Sequence, residues 1–323
     1  MATSFARTWL IAFAGVVFFP ITHAQTYPAK PIRMVVGFPA GGTTDITART
    51  IGAKMAQEFG QQVIIDNRPG ASGIVGAEIV AKSKPDGYTL LMSSSVHGTN
   101  LSLYSKLPYD TVKDFAPIAL VATTPYVLVV HPTLPVQSVN ELITYLKARP
   151  GKLSFSSSSN GTAQHLAGEL LKRSANIDMQ HIPYKGTGAL LPDLLGGRVS
   201  IAFENVMVMT PYIKSGALRP LAVTSIKRSP VLPNIMTMAE AGVPDFVVIG
   251  WFGIFTAAQT PPEVIERLNS HIAEIMKRSD VRERMFAQGA EPVSGPPSEL
   301  RDLLTREIDV WGKVIREAGI RLD

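Results

Sequence analysis

The 323-residue chain has no cysteine. That single absence removes disulfides, thiolate metal sites and cysteine nucleophiles together. It carries no message against export, because a chain of this length builds a core that needs no covalent staples. Charge is also sparse, at 18% of residues against 46% hydrophobic, with a mean hydropathy of +0.16. Apolar runs recur throughout, so long disordered spans are excluded. No apolar run reaches the ~20 residues of a membrane span. Basic residues are scattered, with no stripe of them interleaved with aromatics, which disfavours nucleic acid.

Catalytic signatures are missing as well. G-x-S-x-G, H-E-x-x-H, the P-loop and a complete G-x-G-x-x-G are all absent. Gly70-Ala71-Ser72-Gly73 lacks the first spacing, and Gly186-Thr187-Gly188 stops short of the last. Beyond the N-terminal segment the histidines are His97, His131, His165, His181 and His271, with no pair at metal spacing. A lone histidine in a globular chain is more often structural. The expectation is no enzyme, no metal and no cofactor.

The start of the chain is present for a different purpose. Arg7 is the only charge before the apolar run at residues 9–21, and Thr22-His23-Ala24 offers small residues at the −3 and −1 positions. This reads as a secretory signal peptide over residues 1–24, with export to the periplasm; the run is too short for a membrane anchor. Its removal leaves 30 basic and 26 acidic residues, a net charge of +4. So mild an excess serves solubility, or a weak general attraction for anions.

From residue 27 to about 120, strand and helix patterns alternate. Strands are read at 32–37, 63–66 and 88–93, helices at 45–59 and 74–82, and a turn at Lys84-Pro85-Asp86-Gly87. Such a βαβαβ unit implies an α/β fold with a parallel-rich sheet and binding loops at strand C-termini. Two apolar strands, 118–121 and 126–131, follow with Ala122-Thr123-Thr124-Pro125 between them, as a chain crossing between two domains would show. A second alternating unit runs to residue 224. It includes a capping box at Ser138-Val139-Asn140-Glu141. Residues 246–257 turn apolar again through Trp251 and Phe252 and read as the return crossing. The last ~60 residues read as amphipathic helices without a strand, packing on the first domain. The expected organisation is residues 25–123 plus 246–323 as domain 1 and 124–245 as domain 2, around a hinge-bounded cleft.

Polar, glycine-bearing loops follow the strands. Phe38-Pro39-Ala40-Gly41-Gly42-Thr43-Thr44-Asp45 leads into the first helix. Its glycines permit a tight turn, and its threonines can cap the helix. The free N–H groups of a helix start form an anion site built mostly of backbone. Ser93-Ser94-Ser95-Val96-His97-Gly98-Thr99-Asn100 is a second such loop. Ser156-Ser157-Ser158-Ser159-Asn160-Gly161-Thr162 repeats the plan in the other domain. Tyr184-Lys185-Gly186-Thr187 adds a phenol and a cation, and Glu204-Asn205 ends a strand where a side chain reaches the same cleft. Each loop alone is compatible with ordinary βα turn chemistry. One anion-receiving helix start in each domain suits a ligand with negative ends, such as a dicarboxylate.

These residues carry a resemblance. The 38–45 loop, Asn67-Arg68-Pro69-Gly70-Ala71, Pro85-Asp86-Gly87-Tyr88-Thr89-Leu90, Leu107-Pro108-Tyr109-Asp110 with Lys113-Asp114-Phe115-Ala116-Pro117, and Trp251-Phe252-Gly253 resemble the Bug-type extracytoplasmic solute receptors. Those are the binding proteins of tripartite tricarboxylate transporters, and the match spans essentially the whole exported chain in order. The resemblance implies a two-domain, type II periplasmic-binding-protein fold of the Venus flytrap kind that closes on a small carboxylate. It also implies delivery to membrane permease subunits, and a monomer is expected. In such receptors the loops matching 38–45 and 157–163 hold a ligand carboxylate through backbone and ordered water. That role carries over to Phe38, Ala40, Gly42, Thr43, Asp45, Ser157, Ser158, Gly161 and Thr162. His97 and Asn100 match a His and an Asn common in the corresponding loop. Glu204 departs from the family's more usual Asp, and its longer side chain would shrink the pocket. With Gly41, Thr44, Ser94, Ser95, Ser159, Asn160, Tyr184 and Lys185, these form the expected binding set. Two other readings share the sequence: a sensor that docks its liganded form on a signalling protein, and a secreted hydrolase using Ser95 or Ser158.

Overall fold

The computed structural model describes residues 27–287, 290–317 and 319–322; the signal-peptide expectation for residues 1–24 lies outside the described residues. Strands β1 (Ile32–Val36), β2 (Val63–Asn67) and β3 (Thr89–Ser94) alternate with helices α1 (Thr43–Phe59) and α2 (Ile74–Ala81), and α3 (Val96–Leu103) follows. β1 lies between β2 and β3, parallel to both. The second unit runs β4 (Phe115–Val130), α4 (Val139–Lys147), β5 (Ser154–Ser157), α5 (Ala163–Ala175), β6 (Gln180–Pro183), α6 (Thr187–Leu195), β7 (Ile201–Asn205), α7 (Val206–Lys214) and β8 (Arg219–Val223). The chain returns through β9 (Ile249–Ala257) and ends with α8 (Pro262–Lys277), α9 (Ser279–Ala287), β10 (Glu291–Pro292) and α10 (Pro297–Glu317).

All strands join one mixed sheet of order β2-β1-β3-β9-β4-β7-β5-β6, with β8 and β10 also on β4. Where two strands with a break at 122–125 were expected, β4 is a single strand of 16 residues. Its first part pairs with β9 up to Pro125 opposite Ile249. Its last part, from Tyr126 onward, pairs with β7 and β8 instead. Pro125 has no N–H to donate, so it sits where the strand changes partners and interrupts neither ladder. β4 and β9 therefore carry the chain between two wings of the sheet.

Helices cover both faces of each wing, which explains the uninterrupted apolar strands. In the first wing, α1, α8 and α9 bury Ile51, Met55, Ile272 and Met285 on one face, and α2 and α10 bury Val80, Leu300 and Leu304 on the other. In the second wing, α4 and α5 cover one face with Leu142, Leu166 and Leu171, and α6 and α7 cover the other with Leu190, Leu194 and Met209. α4 starts at its capping box, with Ser138 Oγ accepting from Glu141 N at 3.2 Å.

The C-terminal region departs from expectation twice. β10 adds a two-residue strand to β4. α10 also reaches past the first wing, placing Trp311 and Ile315 in the core of the second. Its 21 residues span ~30 Å at 1.5 Å per residue, long enough to lie across both.

One close approach fixes how α5 sits on its sheet. A Cβ on Gly168 would lie 2.0 Å from Cε2 of Phe155, a ring with no exposure. Gly168→Ala should therefore lower stability by ~1–3 kcal/mol through overpacking, read as a lower denaturant midpoint at unchanged slope. An unchanged midpoint would show that the ring moves freely.

Candidate ligand site

Five strand-to-helix turns meet where the wings join. A cavity of about 260 Å³ lies between them. Its wall takes Thr43 and Thr44 from the first turn of α1, Ser95 and Val96 from the start of α3, and Ala163 and Gln164 from α5. Thr187, Gly188 and Ala189 come from α6, and Asn205 from the cap of α7. Five helix N-termini thus border one small space, each presenting unpaired N–H groups and the positive end of its dipole. The cap residues Gly42, Ser95, Gly186 and Asn205 make no side-chain capping bond; only α5 is capped conventionally, by Thr162. Gly42 is extended, and the threonines expected to cap α1 are instead its first two helical residues. Among the described residues lining the cavity, Lys185 is the only charged one. Such a wall offers donors and dipoles but no opposing carboxylate at its surface.

A second compartment of about 430 Å³ adjoins it, sharing Phe38, Pro39, Ser158, Lys185 and Gly186 and adding Pro69, Gly70, Ala71, Ser72, Ser159 and Tyr184. Its 69–73 turn holds two non-glycine residues at positive φ, Ala71 and Ser72, a conformation that persists only where surroundings enforce it.

The wings touch around the cavity. Asn205 Nδ2 donates to Thr43 Oγ1 at 3.2 Å, and Thr99 Oγ1 donates to Gly161 O at 2.9 Å. Ser72 Oγ donates to Asn160 O at 3.0 Å and lies 3.0 Å from Ser159 Oγ. The buried Oδ1 of Asn205 has no hydrogen-bond partner among the described residues.

Of the expected residues, Phe38, Ala40, Gly42, Thr43, Thr44, Ser94, Ser95, Ser158, Thr162 and Lys185 line the cavity. Ser159 and Tyr184 line only the second compartment, and the Tyr184 hydroxyl donates to Asp193 at 2.8 Å. Others sit behind the wall as braces. Gly41, at φ 83, donates its N–H to Asp45 Oδ2 at 2.9 Å, and Asp45 also takes Arg49 at 3.0 Å and Asn67 at 2.9 Å. Burial would raise the Asp45 carboxyl, but the bonds from Arg49, Gly41 and Asn67 outweigh it and hold it below the ordinary value. Its bonds are spent on holding the loop. Ser157, Asn160 and Gly161 likewise shape the second loop without lining the cavity.

His97 and Asn100 correct the sequence reading. Residue 97 falls in the first turn of α3, which turns it inward among Phe115 at 4.6 Å and Phe255 at 4.9 Å. Burial pushes its imidazole down to about 4. Asn100 is also buried, donating to Ser72 O at 3.1 Å. Glu204 has no exposure and does not line the cavity. Its carboxyl accepts from Thr187 Oγ1 at 3.2 Å, from Asn205 N at 3.3 Å and, at 3.5 Å, from Gln164 Nε2. All three donors belong to residues of the wall, so Glu204 lies one side chain behind it. Burial pushes it up to about 7, against the bonds from Gln164, Asn205 and Thr187.

Sequence reasoning missed Tyr126, Gln164 and Phe252. Tyr126 and Phe252 ride on β4 and β9, where an apolar run hides their position at the join. Gln164 had a signal, since a first-turn residue just after a capping threonine must border whatever the helix start faces.

Comparison with known proteins agrees with this architecture. The profile of the tripartite tricarboxylate transporter family receptor matches residues 47–320. Protein BugT of Bordetella pertussis is 42% identical over 314 residues, covering 97% of this chain and 96% of BugT. Among solved structures, R. palustris Rpa4515 with adipate superposes with a TM-score of 0.89 at 38% identity, covering 92% of this chain and 100% of that one. MatC from Rhodopseudomonas palustris with bound malate gives 0.85 at 32% identity, covering 90% and 100%.

Proposed function

The chain belongs to the tripartite tricarboxylate transporter receptor family, a family of periplasmic solute-binding proteins, and from that premise we propose that it captures a small carboxylate and delivers it to the membrane subunits of such a transporter. The observation that carries the ligand class is the convergence of five helix starts on a wall whose only charge, among the described residues, is Lys185. Carboxylate oxygens are acceptors only, and such a wall supplies donors, partial positive charge and one ammonium group. Adipate in Rpa4515 and malate in MatC supply the same chemistry in relatives.

Capture works by closure. The lobes proposed to move are residues 25–123 plus 246–323 and residues 124–245, with β4 and β9 between them. A ligand that contacts both is bound only when they are shut, and its differential contacts draw the equilibrium to that state. Binding without turnover is supported by the serines: Ser158 Oγ accepts from Gln164 Nε2 at 2.9 Å, and among the described residues no imidazole lines the cavity beside it or Ser95. The family supports the permease partner, and export would use the segment at residues 1–24.

A thermal-shift series with adipate, malate and neutral adipamide tests the ligand class. The acid that fits should stabilise by about 2.7 kcal/mol at 100 times its dissociation constant, and adipamide should not. Equal shifts from acid and diamide, or none from any acid tried, would overturn the assignment.

A further inference from the structure

Two histidines outside the cavity hold the second loop in shape, and no role in the reading above uses them. The rings of His165 on α5 and His181 on β6 stack with centroids 3.7 Å apart and planes 8° from parallel. Phe155 of β5 lies against His181 at 4.9 Å. Each ring makes one bond into the 157–162 loop. Gly161 N–H donates to His165 Nδ1 at 3.0 Å. His181 Nε2 lies 2.7 Å from Ser157 Oγ.

Those bonds fix both tautomers. His165 Nδ1 accepts, so its proton sits on Nε2. Ser157 Oγ spends its one hydrogen on Ser159 O at 2.8 Å, so at 2.7 Å it accepts from His181 Nε2–H. A proton added to His165 Nδ1 would face the Gly161 N–H and break that bond. Protonating both rings would set two cations face to face.

We propose that His165 and His181 are positioning residues, a stacked neutral pair that latches the 157–162 loop in its ligand-receiving shape and releases it on protonation. This rests on the reading that the loop, through Ser158 and Thr162, borders the ligand.

The surroundings favour the neutral pair. Glu169 and Lys172 of α5 face it. Glu169 Oε1 is 3.9 Å from His165 Nε2, and Lys172 pairs with the same carboxyl at 3.0 Å. Burial first, and then Lys172, push His165 down to about 4. Burial, His165 and Lys172 push His181 down to about 3. In a released loop both rings return to the ordinary value near 6.5. The released form then binds more protons between that value and the folded values of about 4 and 3. The latch is therefore intact above about pH 6.5 and loses ground as the pH falls from there toward 4 and 3.

Imidazole ¹⁵N NMR on the ligand-free protein tests this directly. Both rings should show the neutral Nε2–H tautomer at pH 6, with neither titrating near 6.5. His165→Leu should speed exchange of the Gly161 amide by about tenfold, the scale of one lost bond to a buried donor, and His165→Asn, which keeps an acceptor near the same place, should restore protection. His181→Leu and His181→Gln should behave as the matching pair for the Ser157 end. Adipate affinity should follow the same order, falling about tenfold in each leucine variant. An Nδ1–H tautomer, an ordinary titration at either ring, or unchanged Gly161 exchange in His165→Leu overturns the latch. If the wild type binds no adipate, the ligand reading fails while the tautomers and the exchange rates still decide the latch.

Discussion

Gly161→Ala should lower carboxylate affinity about a hundredfold while lowering the stability of the ligand-free protein by only ~1–2 kcal/mol. Gly161 sits at φ +70, and a Cβ there would lie 1.9 Å from Leu103 Cδ1 and 3.1 Å from its Cγ. Two separate costs follow. The left-handed backbone disfavours any L side chain by ~1–2 kcal/mol, whether the wings are open or shut. Under the closure proposed above, the collision with Leu103 belongs to the shut state, because Leu103 ends α3 of the first lobe and reaches into the second core beside Gly161. Leu103 is 1% exposed and packed in the second core. Relieving the overlap costs ~1–3 kcal/mol, and the same movement stretches the bond from Thr99 Oγ1 to Gly161 O across the join. About 2.7 kcal/mol confined to the closed state is about a hundredfold in Kd. Calorimetry with adipate reads the affinity, and a thermal melt without ligand reads the backbone cost. A full hundredfold loss accompanied by an equal loss of ligand-free stability would place the damage in folding rather than in closure. Unchanged affinity would remove Gly161 from the closure contact altogether.

The legible parts of this molecule were those whose chemistry is local. A glycine pair before threonines, after an apolar run, announces a strand end, a tight turn and a helix start, and Phe38, Gly42, Thr43 and Thr44 all line the cavity. Ser158 and Thr162 were legible for the same reason. The α/β class followed from alternation, and the family resemblance is borne out by the profile match and by BugT. What escaped was set by position in three dimensions. Residue 97 belongs to a polar loop in sequence, yet the first turn of α3 rotates its ring into an aromatic cluster. Tyr126 and Phe252 look like core residues because β4 and β9 are apolar along their lengths; only the change of partner after Pro125 puts them at the cavity. The reach of α10 into the second core depends on length and packing across both wings, and an amphipathic pattern states only that a helix has a buried face.

Glu204→Gln should make carboxylate binding insensitive to pH across neutrality and should raise affinity most at alkaline pH. The residue has no exposure, and burial pushes it up to about 7, so near neutrality it exchanges between neutral and charged forms. Its three donors, on Gln164, Thr187 and Asn205, all belong to wall residues of the cavity. An ionised Glu204 thus places a negative charge one residue behind a bound anion. Two unit charges about 7 Å apart repel by ~2 kcal/mol at an effective dielectric constant of ~20, which is roughly thirtyfold in affinity. The sign for stability runs the same way. A carboxyl raised from 4.5 to about 7 binds its proton more tightly in the folded state, so its contribution is fully present below about pH 4.5 and is lost as the pH rises through 7. The wild type should therefore bind adipate more weakly at pH 8.5 than at pH 6.5, a window in which the carboxyls of adipate are themselves ionised. Glu204→Gln should hold one affinity across that window and melt higher than the wild type at its alkaline end. The histidine latch acts below this range, so its loss of binding toward acid pH should survive the Gln substitution. A wild-type affinity that stays flat between pH 6.5 and 8.5 would mean that Glu204 keeps one protonation state throughout. An unchanged slope in the Gln variant would move the titrating group elsewhere.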